Sequence, residues 1–206
     1  MYIPATNRWE DQEQILAFMQ RFSFASIINV NTSGLACATH LPFVVEDTPG
    51  GIRLLAHFAK ANEQWKLLEQ QTSLVVFAEP HAYVSPSHYD KVQSVPTWNY
   101  QSVHAYGQAK LLLDRDAALE TLEALILNSE AAYMEQWKGL SEAYKDGMLQ
   151  GIVAFELLVT DLQAKSKLSQ NKRQAEQERI AETKLSSELE TERYLGQQMK
   201  ENLKRK

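Results

Sequence analysis

From Ser102 to Leu113 the chain reads SVHAYGQAKLLL, and its side chains alternate without a break. Val103, Ala105, Gly107, Ala109 and Leu111 fall on one face, and His104, Tyr106, Gln108 and Lys110 on the other. A period of two over this length describes a long strand with two environments, apolar on one side and polar-aromatic on the other. A chain with such a strand must find sheet partners for it. The same texture starts at Phe24 with FASIINVN, LACATHLPFVVE and GIRLLAHF, separated by the turns NTSG and EDTPGG, which predicts three strands in a meander. SLVVFAE reads as an interior strand and GIVAFELLVTDLQAKSKL as a final one.

Helical spacing frames these strands. Trp9, Ile15, Leu16, Phe18, Met19 and Phe22 form one amphipathic stripe. Ala61, Trp65 and Leu68 share a face of a short helix between two strands. Residues 116 to 137 and LSEAYKDGMLQG supply further helices, the last stopping at Gly151. The segment PHAYVSPSHYDKVQSVPTWNYQ holds three prolines and no sustained period, and reads as loop with one brief strand at AYV. Six or seven mostly meandering strands with peripheral helices favour a small antiparallel barrel over a doubly wound parallel sheet.

Charge divides the chain. Residues 1 to 162 carry 10 basic and 19 acidic side chains, whereas 163 to 206 carry 11 basic and 7 acidic, within a formal net charge of -5. An acidic body does not attract nucleic acid through its overall field, because phosphate neutralisation supplies most DNA affinity. Beyond Asn171 the chain is rich in helix formers, with a thin apolar stripe through Ile180, Leu185, Leu189, Leu195, Met199 and Leu203. Such a helix docks its stripe on the body or on a second protomer, or frays. No run of eighteen apolar residues and no basic start with an apolar core is present, so a cytoplasmic protein without a membrane span is expected. The single cysteine, Cys37, excludes an internal disulfide. The histidines match no zinc spacing, and neither a G-x-G-x-x-G nor a G-x-x-x-x-G-K-[ST] string occurs.

Several strings in order, MYIP, ATHLPF, AHFAKAN with QW, HAYVSPSHY, VPTWNYQSVHAYG and AKSKLSQNK, make residues 1 to about 172 resemble the PaiB family of bacterial FMN-binding negative regulators. The resemblance implies an α+β, β-rich fold: an FMN-binding split β-barrel of the pyridoxamine-phosphate-oxidase type over 1–172, followed by a charged C-terminal helix or tail over 173–206. It further implies a homodimer with FMN in clefts at the subunit interface, acting as a negative transcriptional regulator through DNA or a regulatory protein partner. An FMN-dependent oxidoreductase or flavin reductase acting on a small molecule is the alternative, because one scaffold hosts several activities. A protein that only sequesters or senses flavin is a third.

FMN requires a cationic pocket for its phosphate, polar groups at the pyrimidine edge and a flat surface for the ring. Lys60 and Asn62 in AHFAKAN suit the phosphate, where Lys60 is otherwise a solvated lysine beside an N-cap. His57 precedes them. The strand holding Thr39, His40 and Leu41 is expected to run along the flavin, with Pro42 marking a sheet edge or bulge. Trp98 and Asn99, with Tyr100 and His104 nearby, offer stacking surface and amide hydrogen bonds, and are otherwise an aromatic cluster at the dimer interface. Lys165, Lys167 and Gln170 in AKSKLSQNK are placed beside FMN by the resemblance, Lys167 and Gln170 foremost, or else belong to a basic linker. His104 and Tyr106 are candidate proton donors if the protein is an enzyme.

Overall fold

The computed structural model describes residues 1–204. In chain order the main elements are α1 (Gln12–Arg21), β1 (Phe24–Val30), β2 (Ala36–Pro42), β3 (Val44–Thr48), β4 (Gly51–Ala59), β5 (Ser73–Phe77), β6 (His81–Val84) and β7 (Thr97–Leu112). They continue with α2 (Arg115–Glu130), α3 (Tyr133–Lys138), α4 (Glu142–Gln150), β8 (Ile152–Lys167), α5 (Gln174–Leu185) and α6 (Glu190–Lys204). The chain forms two compact units: a larger one from 12–77 and 104–162, and a smaller one from 1–11, 78–103 and 163–206.

In the larger unit the strands run in the order β2-β1-β5-β7-β8-β4-β3. The pairs β1–β2, β1–β5, β3–β4 and β4–β8 are all antiparallel. β2 also approaches β4, which bends the two ends of the sheet toward each other. Alternation sorts the side chains: Ile27, Leu54, Ala56, Phe58, Val75, Phe77, Ala105, Phe155 and Leu157 are fully buried on the inner face. Phe43, in the break between β2 and β3, joins them, with ring centroids 6.0 Å from Phe77 and 6.2 Å from Phe155. Phe18 and Met19 of α1 are equally buried. On the outer face Glu46, Arg53 and Glu156 sit side by side on β3, β4 and β8. Arg53 reaches Glu46 at 2.6 Å and Glu156 at 3.4 Å. The Glu46–Arg53 pair lies directly across the β3–β4 register, where opposite charges favour that alignment.

Gly107 lies where β7 meets β8. A Cβ there would fall 2.2 Å from the Leu158 carbonyl oxygen and 2.5 Å from Leu157 Cδ2. Backbone cannot yield as a flexible side chain can, so this position requires the absence of a side chain.

The smaller unit pairs β6 with the first part of β7, His81 facing Tyr100 and Val84 facing Thr97. Here α5 and α6 fold back on each other, with Gly196 so close that a Cβ would lie 2.8 Å from Leu185 N. Ile180, Ala181, Leu195 and Met199 of this hairpin share a core with Ala82, Val84, Tyr89 and Leu168. Arg179 fastens it further, donating to the His88 carbonyl at 2.8 Å and to Asp90 at 2.5 Å.

The split-barrel α+β class expected from the sequence is the one observed. Several boundaries differ. The second predicted strand divides at Phe43 into β2 and β3, and β7 starts at Thr97 because its first residues pair with β6. Trp9 is not part of the first helix: its amide donates to Ala164 O at 3.2 Å in the smaller unit. The residues after Asn171 form two helices, of which Ile180, Leu195 and Met199 are buried while Leu185 and Leu189 are exposed. Arg205 and Lys206 lie outside the described residues.

Substituting Gly107→Ala is expected to destabilise the protein by about 3 kcal/mol, the upper part of the range for overpacking, read as a lowered urea midpoint at unchanged slope.

Candidate functional site

Strand β4 ends at Ala59, and the chain turns through Lys60 and Ala61 into a five-residue 3-10 helix, Glu63–Leu67. The turn is held by its own backbone. Lys60 N donates to Gly151 O at 2.8 Å, and Lys60 O accepts from Trp65 Nε1 at 3.1 Å. The Lys60 side chain is exposed, and its ammonium has no hydrogen-bond or ion-pair partner among the described residues. Asn62 caps the helix, its Oδ1 accepting from Gln64 N at 3.1 Å. The helix is too short to carry a useful dipole and its Gln64 amide is taken by the cap, which leaves the Lys60 ammonium as the cationic element of this turn.

A polar relay runs inward from this turn. Asn62 Nδ2 donates to Thr39 Oγ1 at 2.9 Å, and Thr39 Oγ1 donates to Gln64 Oε1 at 2.7 Å. Gln64 Nε2 donates to Ile27 O and to Asn29 Oδ1, both at 3.0 Å, and Asn29 Nδ2 donates to Ser73 Oγ at 2.9 Å. Gln64, Asn29 and Ser73 are buried, so the bonds of Gln64 to Ile27 and Asn29, and of Asn29 to Ser73, are made where water cannot replace them. The relay fixes edge strand β2 against the turn. Gln64 was not among the residues singled out from the sequence. Its signal is slight: a glutamine two places after a capping asparagine, beside Trp65.

Two grooves flank the turn within this unit. One, of about 580 Å³, is bordered by Lys60, Trp65, Leu112 and Ile152. The other, of about 570 Å³, is bordered by Thr39, Asn62, Gln64 and Lys66. Both are of the size that cofactor sites take. His40 is exposed on the outer face, its Nδ1 2.7 Å from Ser26 Oγ across the β1–β2 register. The Leu41 side chain is buried, so that residue offers a ligand only its backbone. β2 ends the sheet order, as Pro42 suggested, and alternate backbone groups along it lack a strand partner.

His57 stands on β4 opposite Ala154. Its ring is half-buried, and Nδ1 is buried with no hydrogen-bond partner among the described residues. Burial lowers its pKa from the ordinary value of 6.5, against a smaller opposing interaction with the Phe58 backbone.

The other singled-out residues lie in the smaller unit. Trp98 is half exposed, with its ring 5.8 Å from both Tyr83 and His81. Lys167 Nζ donates to Thr97 Oγ1 at 2.5 Å and to Trp98 O at 2.9 Å, which holds the tryptophan strand in place. Asn99 is buried, with Nδ2 on Met199 Sδ at 3.4 Å and Oδ1 accepting from Ser169 Oγ at 2.9 Å. Gln170 closes its own turn, accepting from Leu168 N at 2.7 Å and donating to Ser166 O at 2.5 Å, beside Ser169 at φ 63°. Trp98 and Lys167 thus share a surface, while the amides of Asn99 and Gln170 are committed to internal bonds.

The residues of the larger unit suit FMN: a free ammonium for the phosphate, an edge strand held by the amide relay for the pyrimidine edge, and grooves of suitable size on either side of the turn. Comparison with known proteins agrees. The model of the FMN-binding domain family matches residues 1–161. The chain is 35% identical over 208 residues to protease synthase and sporulation protein PAI 2 of Bacillus subtilis, covering 100% of this chain and 99% of that one. In structure it is similar to the flavocytochrome Anf3 of Azotobacter vinelandii, at TM-score 0.62 and 19% identity over 76% of this chain and 67% of that one. It is also similar to the FAD and heme binding protein of Mycobacterium smegmatis, at TM-score 0.62 and 16% identity over 78% and 73%. At these identities the two structures speak to the fold alone.

The shift on His57 sets a pH dependence. Between the lowered folded value and 6.5 the unfolded chain binds more protons than the folded one, so stability is full above about pH 6.5 and falls as the pH drops through it. His104, also lowered by burial, acts in the same direction. His57→Gln is expected to make the loss of stability between about pH 7.5 and about pH 5.5 shallower, as measured by urea unfolding at each pH.

Proposed function

The chain belongs to the PaiB family of FMN-binding proteins, and from that premise we propose that it is a flavin-responsive negative transcriptional regulator that works in the cytoplasm as a homodimer. Its cofactor is FMN. The observation that carries the proposal is the juxtaposition of the unpaired Lys60 ammonium with the Asn62–Thr39–Gln64 relay. Lys60 binds the phosphate, Asn62 and His57 hold the polar chain of the cofactor, and Thr39, His40 and Leu41 present the β2 backbone to the ring system. Taken by itself, the smaller unit offers Trp98 and Lys167 as cofactor-binding residues, with Asn99 and Gln170 supporting the strand and turn that carry them. When bound, FMN supplies a redox-active ring whose state a regulator can report.

The homodimer rests on the outer face of β1 and β2, where Phe24, Val30 and the adjoining Leu35 are exposed at 66%, 49% and 65%. Exposed apolar side chains grouped on a sheet face mark an interaction surface. The regulatory role rests on the full-length relative named for protease synthesis and sporulation. Control through a protein partner fits the charges better than a direct grip on DNA by the α5–α6 hairpin. Its basic groups are largely engaged within the protein: Lys184 with Glu192 at 3.0 Å, Lys200 with Glu182 at 3.2 Å, and Arg179 with Asp90. Among the described residues no helix is long and apolar enough to cross a membrane.

A flavin-dependent reductase is the second reading, and His104 favours it. Its Nδ1 is buried without a hydrogen-bond partner among the described residues, and burial lowers its pKa from the ordinary value of 6.5, which favours the neutral ring of a group that exchanges a proton.

Titrating the purified protein with FMN, followed by flavin fluorescence, tests the proposal. Saturable binding is expected, weakened at least about tenfold by Lys60→Ala through loss of a charge-assisted bond, and weakened also by Trp98→Ala. Folded wild-type protein that does not bind FMN contradicts it. NADPH oxidation above the free-FMN background would transfer the conclusion to the reductase.

A further inference from the structure

We propose that Lys165, with the rings of Tyr2 and Tyr100, forms a binding site for a phosphate-type oxyanion in the smaller unit, independent of the role given to Lys60. Lys165 lies on β8 and is only 8% exposed. Its ammonium donates to the Tyr2 carbonyl at 3.3 Å and sits 5.2 Å from the Tyr100 ring centroid and 5.8 Å from that of Tyr2. A lysine ammonium can donate three hydrogen bonds, and no carboxylate contacts this one among the described residues. Ring faces attract a cation but accept no strong hydrogen bond, so a buried charge is left incompletely compensated.

The surroundings point the same way. Residues 1–9, 80–88, 97–103 and 163–172 build this part of the unit, and they contain no aspartate or glutamate, although the whole chain is acidic at -5. They carry Arg8, Lys165, Lys167 and Lys172. Lys167, on the same face of β8 about 7 Å along the strand, bonds only neutral oxygens among the described residues, those of Thr97 and Trp98. Arg8 pairs with Glu10 just outside these segments at 3.8 Å, and Lys172 lies over the Tyr89 ring. Two ammonium groups on one strand face favour a multiply charged oxyanion over a single carboxylate. Tyr2, whose ring lies 5.8 Å from this ammonium, is itself 82% exposed.

The ligand is free phosphate or the phosphate group of an ester, and melting and titration experiments in phosphate-free buffer separate the two. Millimolar inorganic phosphate is expected to raise the wild-type melting temperature by about 2–4 °C over chloride at equal ionic strength. Lys165→Met removes that response while Lys165→Arg retains it. Without phosphate, Lys165→Met melts no lower than wild type, because an incompletely compensated charge has gone. Tyr100→Leu, which keeps the lysine, weakens the response and serves if Lys165→Met does not fold. In parallel titrations with FMN and riboflavin, unchanged FMN affinity in Lys165→Met assigns the site to another phosphate source. A loss confined to FMN assigns it to the flavin's own phosphate. No phosphate response in the wild type, or an equal response in folded Lys165→Met, overturns the proposal. Neither result bears on whether the wild type binds FMN.

Discussion

The close approach of β7 and β8 at Gly107 is the constraint from which the rest of the larger unit follows. With the Leu158 carbonyl occupying the space of a side chain, the two longest strands sit at the centre of the sheet order, and β5 and β4 build outward from them. Their inner faces carry Ala105, Phe155 and Leu157 into one buried aromatic and aliphatic core. The outermost strands, β2 and β3, are then left at the ends of the order, and an edge strand is where a planar ligand can reach backbone groups.

That edge is not left to itself. Gln64 ties the Ile27 backbone and the Asn29 amide to Thr39, and Asn62 closes the relay on the side of the turn. The buried amides hold the edge strand by directional bonds that apolar packing does not supply, and such bonds fix geometry because leaving any of them unmade in the interior is costly. Lys60 stays outside the relay with its charge unspent. A fixed polar edge beside a free cation is what recognition of a phosphorylated, hydrogen-bonding ring requires.

The sheet was legible in the sequence because alternation in SVHAYGQAKLLL and in the three runs from Phe24 is a local property of strands that are buried on one side. The split at Phe43 was not, since a buried phenylalanine in an apolar run continues the hydrophobic pattern while the backbone changes direction. Trp9 was assigned to the first helix because its spacing matched, although it pairs by its backbone with Ala164, more than 150 residues away. The charged C-terminal segment showed its apolar stripe, yet its fold as a hairpin depends on Gly196 meeting Ala181 and Leu185, a contact that composition does not encode. Among the candidate site residues, Lys60, Asn62 and Thr39 are legible as candidates through their strings. The relay through Gln64 was hidden because its partners, Ile27, Asn29 and Thr39, come from other strands. Asn99 and Gln170 looked like ligand-binding amides, but their donors and acceptors are used by Met199, Ser169, Leu168 and Ser166, none of which the string itself identifies.

A crystal structure of the protein grown with FMN tests the central claim most directly. The account predicts the phosphate within about 3 Å of Lys60 Nζ and the pyrimidine edge of the ring against the backbone of Thr39–Leu41, with the Asn62–Thr39–Gln64 relay intact. Flavin bound away from both Lys60 and β2 would contradict it.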